Sequence, residues 1–168
     1  EYAALQPNMV VPVLVHDGQV VIESMDIVDY LDRLVTTPAL VPSDADAAAL
    51  MYELIELGKK LHVSVRYVSF HWGLGRLGRI GRDDEARIAQ LESADSPEQL
   101  LAFYKRYNRD AIDEDTYLGH LRALEDGWGA QEARFVADGR QFLTGNSLSR
   151  ADILWAAMVL RIFECGYP

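Results

Sequence analysis

Between Val11 and Leu31 the chain passes through two short aliphatic runs joined by a turn and then switches to helical spacing. Val13 to Val15 and Val20 to Ile22 are β-branched or aliphatic, and Asp17-Gly18 between them supplies the positive φ angles of a tight primed turn. These residues predict an antiparallel hairpin. Ser24 stands where a helix N-cap belongs, its hydroxyl able to accept from first-turn amides, and Ile27, Tyr30, Leu31 and Leu34 recur at helical intervals. The unit therefore reads strand, turn, strand, helix.

The edges of that unit suggest chemistry. Pro12 has no amide and opens the first strand, a position where sheets tolerate proline. A cis Val11-Pro12 bond would turn the backbone of Val11 outward, where its amide and carbonyl could pair with an extended peptide. After the second strand, the free amides beyond Ser24 suit a carboxylate, and Glu23 beside them suits an ammonium group. A ligand with a peptide bond, a carboxylate and an amine would be held at both places.

The run Val11-Pro12-Val13-Leu14, then His16-Asp17-Gly18, then Glu23-Ser24 with Ile27 and Tyr30-Leu31, resembles the second half of the thioredoxin-like domain of glutathione transferases. In that family the cis-proline strand pairs with the cysteinyl backbone of glutathione, and the Glu-Ser pair holds its γ-glutamyl end. The resemblance implies glutathione as cosubstrate and Val11, Glu23 and Ser24 as its binding residues. It also implies a strand, a helix and a strand before Glu1, with the thiol-activating serine, tyrosine or cysteine in that stretch; the catalytic residue here is therefore unknown. An opening Glu1 and an apolar helix still ending at Ile162-Phe163 lead to the expectation that both ends are incomplete. One position departs from the family: two residues before the proline, where a lysine, arginine or glutamine often grips the glycine end of glutathione, stands Val10.

A chain of 168 residues, 49% hydrophobic, can bury a core in one domain or two small ones. A net charge of -10 argues against nucleic acid or an anionic membrane as a partner recognised by the overall field. A single cysteine, Cys165, excludes an internal disulfide framework and fits a reducing compartment. The apolar run Ile153 to Leu160 is less than half of the roughly 20 residues that cross a bilayer, and no signal peptide is visible. His62, His71 and His120 lack metal-ligand spacing, so no metal is expected.

Thr36-Thr37-Pro38 and Pro42-Ser43-Asp44 read as a linker. From Asp46 to Trp72, Leu50, Leu54, Leu57, Leu61, Val65 and Val68 follow helical spacing and predict one long helix. By analogy with the family, Tyr67, Phe70 and His71 are acceptor-pocket candidates, with Trp72 beside them; aromatic residues at such spacing also serve as plain core. The same stretch admits a rival. Val63 to Phe70 is rich in strand formers, and Gly73-Leu74-Gly75-Arg76-Leu77-Gly78 matches the dinucleotide-binding glycine pattern. Imperfect alternation and the want of a later comparable strand count against it. The cations Lys59, Lys60, Arg66, Arg76, Arg79 and Arg82, interleaved with aromatic residues, would suit single strands, but a solvated loop next to Asp83-Asp84-Glu85 accounts for them better. Asp83 to Leu91, Pro97 to Tyr104 and Thr116 to Ala137 read as three helices. The extended connection around Pro97 is similar to one in some bacterial transferases, including the lignin β-etherase type.

Ser149 and Asp152 have capping-box spacing, and Leu148 can staple onto Ile153 at the start of a buried helix, Ala151 to Phe163. This motif resembles the one in the helical domain of glutathione transferases, where it serves folding. The expected fold class is α+β: a thioredoxin-like hairpin plus helix (residues 1–36), a linker (37–44) and an all-helical domain (45–168). The resemblance implies a glutathione transferase acting on a small hydrophobic electrophile, a cytoplasmic homodimer used in detoxification, with no nucleic-acid or membrane partner. The alternative is a transferase-like binding or scaffold protein without turnover.

Overall fold

The computed structural model describes residues 2–8, 10–71, 84–93, 98, 101–103, 105 and 112–166. In chain order its elements are α1 (Tyr2–Leu5), β1 (Val13–His16), β2 (Gln19–Ile22), α2 (Ser24–Leu34), α3 (Ala45–Ser69), α4 (Asp84–Ser93), α5 (Glu114–Asp138) and α6 (Arg150–Glu164). The order is a hairpin with its helix followed, among the described residues, by helices. Two compact units emerge: residues 1–37 with 81–111, and residues 38–80 with 112–168.

In the first unit β1 and β2 pair antiparallel from Val13↔Ile22 to His16↔Gln19. Asp17 (φ 49°) and Gly18 (φ 79°) both take positive φ, as a two-residue primed turn requires. Helix α2 packs on both strands, and His16 Nδ1 lies 2.9 Å from the Tyr30 hydroxyl. Ahead of the hairpin, the Tyr2 hydroxyl donates to the Val10 carbonyl at 2.7 Å and ties α1 to the entry of β1. The start of α2 corrects the expectation that Ser24 caps it. Glu23 is the cap residue, its carbonyl accepting from the Ile27 amide at 3.0 Å, and Ser24 is already helical. Strand pairing runs to Ile22, so a single residue must turn the chain from strand to helix; Glu23 does so at φ 67°, ψ 124°.

The second unit is built on α3, unbroken over 25 residues and packed against both α5 and α6. Asp44 caps it by accepting from the Ala47 amide at 2.9 Å. Met51, Leu54, Leu61, Val65 and Val68 are all buried and form the central stripe of the core. Close approach to α6 needs a glycine: a Cβ at Gly58 would lie 2.7 Å from Leu154 Cδ2 and 3.0 Å from Trp155 Nε1. That indole in turn donates to the Leu54 carbonyl at 2.9 Å.

Helix α5 starts two residues earlier than Thr116. Asp113 is its cap, accepting from the Thr116 amide at 2.8 Å and the Thr116 hydroxyl at 2.9 Å, so the threonine that looked like the first helical residue is the partner of the cap. At α6 the Ser149/Asp152 pair behaves as its spacing predicts: the Ser149 amide and hydroxyl donate to Asp152 Oδ2 at 2.8 and 2.6 Å, while Oδ1 accepts from the Leu143 amide at 2.8 Å. The Arg150 amide donates to the Leu40 carbonyl at 3.2 Å, joining the segment before α3 to the start of α6. Among the described residues no helix is long and apolar enough to cross a membrane. The glycine pattern at 73–78, the cations Arg76, Arg79 and Arg82, Trp72, and half of the Pro97 to Tyr104 segment lie outside the described residues.

Candidate functional site

The hairpin brings three of the expected site residues to one of its ends. The last rung of the ladder is Val13↔Ile22; Val11 lies two residues beyond it on one strand, and Glu23 and Ser24 follow it on the other. The Val11-Pro12 bond is cis, and Val11 is 81% exposed. Glu23 and Ser24 are exposed as well. Among the described residues neither the Glu23 carboxylate nor the Ser24 hydroxyl has a hydrogen-bond partner.

The local chemistry follows from the start of α2. The Glu23 carbonyl accepts the first intrahelical bond, from Ile27, so the amides of Ser24, Met25 and Asp26 have no acceptor within the helix. Those donors, the Ser24 hydroxyl and the positive end of the helix dipole together suit a carboxylate. Glu23, held in a sparsely populated backbone region, puts an anion next to them, so ammonium and carboxylate groups on one small molecule could each find a partner. The exposed backbone of Val11 supplies a peptide-like donor and acceptor beside this pocket.

Tyr67, Phe70 and His71 are placed differently. The Tyr67 ring stacks on His120 with centroids 4.0 Å apart, and His71 stacks on Tyr117 at the same 4.0 Å. His71 Nδ1 donates to the Ile112 carbonyl at 3.2 Å, with its Nε2 3.7 Å from the Glu114 carboxylate. Ser64 Oγ lies 2.9 Å from His120 Nδ1. Phe70 is buried. The three thus sit in packing at the end of α3, with Tyr117 and His120 of α5 as the ring partners of His71 and Tyr67, a pairing that helical spacing does not indicate.

A cavity of about 950 Å³ opens elsewhere in the same unit, between α5 and α6, and Tyr67, Phe70 and His71 are not among its lining residues. Trp128, Phe135 and Val159, which do line it, were signalled only by helical spacing along α5 and α6. Desolvation, followed by the guanidinium groups of Arg66 and Arg161, pushes the imidazole of His62 below its ordinary pKa of 6.5. Among the described residues no three His, Cys, Asp or Glu side chains gather to hold a metal ion.

No curated protein matches the chain. Residues 1–42 match the family model described as glutathione S-transferase, N-terminal domain. The matched stretch contains the hairpin, Val11, Glu23, Ser24 and the whole of α2, and the match supports a place for this chain in the glutathione S-transferase superfamily.

Proposed function

We propose that the protein is a glutathione transferase acting on a small hydrophobic electrophile or ether, with glutathione seated at the end of the hairpin. The observation that carries this reading is the convergence of Val11, Glu23 and Ser24 inside the stretch that matches the transferase N-terminal domain. The Val11 backbone would pair with the cysteinyl peptide unit of glutathione. Ser24 and the first amides of α2 would hold the γ-glutamyl carboxylate, and Glu23 would hold its amine. In the reaction the glutathione thiolate attacks carbon, a C–S bond forms, and the leaving group departs with the bonding electron pair; the thiol proton goes to solvent or to the leaving group. On this reading the protein works as a cytoplasmic homodimer in detoxification.

A second reading, a transferase-like binding or scaffold protein without turnover, is favoured by Val10. Its side chain offers no charge to the glycine end of glutathione, and its carbonyl is already occupied by the Tyr2 hydroxyl.

Calorimetric titration of glutathione into the wild type and a Ser24→Ala variant tests the site. Loss of one hydrogen bond to a charged group costs about 1.5 to 3 kcal/mol, so the variant is expected to bind roughly tenfold to a hundredfold more weakly. No binding to the wild type at millimolar glutathione overturns the transferase reading and leaves a transferase-like scaffold with another use. Binding without turnover of electrophiles or aryl ethers selects the second.

A further inference from the structure

The groove between α5 and α6 has an open mouth and walls that are aromatic and aliphatic: Trp128 and Phe135 from α5, Ala156 and Val159 from α6, with Phe142 and Leu148 at one end. The apolar surface does not stop at the groove. On α5 the face bearing Gly129 and Glu132 continues to Val136, 81% exposed; on α6 the face bearing Ala156 and Val159 continues to Phe163, 75% exposed. A compact small molecule filling the cavity would leave both of these residues in water.

We propose that this groove is the docking site for an amphipathic α-helix that carries basic residues along its flank. From Glu125 to Phe135 the lining of α5 spans about 15 Å of helix axis, close to three turns of a partner helix. Two helices with a trough between them present the ridges and grooves into which a third helix packs. Charge identifies the flank. The ionisable residues in the lining are Glu125, Glu132 and Asp152, all acidic, and Asp152 is already used by the Ser149 and Leu143 donors. The nearby Arg140 is paired with Asp138 and donates to the Leu143 carbonyl. Among the described residues neither Glu125 nor Glu132 has an ion-pair partner, Arg122 and Arg134 of α5 donating instead to the Leu118 carbonyl and to Gln131, so both glutamates present negative charge at the mouth. A second copy of this chain is a poor occupant, since a twofold contact would set Glu125 and Glu132 against themselves.

The test uses a fourteen-residue synthetic peptide of leucine and lysine at helical spacing, its counterpart with glutamate for lysine, and a scrambled leucine-lysine peptide. Each is titrated into the isotope-labelled full chain and followed by amide chemical shifts. The leucine-lysine helix is expected to bind one to one, with shifts centred on Gly129, Ala156 and Val159, and roughly tenfold more tightly than the glutamate peptide. Glu125→Gln with Glu132→Gln should remove that preference, and Ala156→Lys, at an exposed position, should weaken binding by a similar factor. Four results overturn the proposal: no binding, equal affinity for both charges, equal affinity for the scrambled peptide, or a concentration-dependent dimer formed through this face. Saturable capture of a small apolar dye in the groove with no peptide binding would also overturn it, in favour of a small ligand.

Discussion

His62 illustrates how one side chain sets a pH dependence. Its pKa is lowered in the folded protein, by desolvation first and then by Arg66 and Arg161. The unfolded chain therefore binds a proton more readily, and stability is lost as pH falls through 6.5 until the folded-state imidazole also protonates. For one proton the slope cannot exceed about 1.4 kcal/mol per pH unit, and solvent around the exposed residue keeps it below that limit. His62→Gln is expected to flatten this limb between pH 7 and 5, read as a smaller shift in denaturation midpoint than the wild type shows. Arg66, one turn along the same helix, was legible from spacing, but Arg161 was not, because it reaches His62 only through the packing of α6 on α3. By contrast, the end of the hairpin was legible at the residue scale. Val11, Glu23 and Ser24 are local in sequence, and an Asp-Gly turn fixes which residues face each other. What escaped was the positive φ of Glu23, a consequence of strand pairing that leaves no spare residue before α2.

At the scale of elements, an N-cap aspartate at the start of α5 and the N3 aspartate of the capping box at the start of α6 differ in what they hold. Asp113 is an exposed cap that accepts from the amide and the hydroxyl of Thr116. Asp152 accepts three hydrogen bonds and fastens the turn at Leu143 as well as its own helix. Asp113→Ala should cost about 1 kcal/mol, whereas Asp152→Ala strands partly buried donors and should cost about 3 kcal/mol. Urea denaturation of both variants against the wild type measures the difference. The capping-box spacing made α6 readable to within a residue, and the 3.6-residue stripe did the same for the start of α3, which ends at Ser69 rather than at Trp72. The α5 start was misplaced because Asp113, Glu114, Asp115 and Thr116 are all acceptable cap residues or first-turn residues, and only the hydrogen bonds distinguish them. Which helix meets which is a further step. Tyr67 and His71 were visible as a helical face, but their partners Tyr117 and His120 lie on a separate helix, and periodicity carries no information about pairing across that distance.

For the whole molecule, charge and exposed apolar surface act together. A net charge of -10 at pH 7 keeps molecules apart despite Val136 and Phe163 on the surface. Near the pI of about 4.8 that repulsion vanishes. Light scattering recorded from pH 7 to 4 is expected to peak there, and replacing Phe163 with serine should lower the peak. The interleaved rings of α3 and α5 have a use in watching the molecule at work. His71 and His120 each lie nearly flat over a phenol, at interplanar angles of 13° and 18°, whereas His16 meets Tyr30 edge-on at 71°. Aromatic ring currents shield protons above a ring face and deshield those at its edge. The carbon-bound imidazole protons of the two stacked histidines should therefore resonate upfield of those of His16, giving the protein an intrinsic magnetic gauge of whether α3 and α5 are in register.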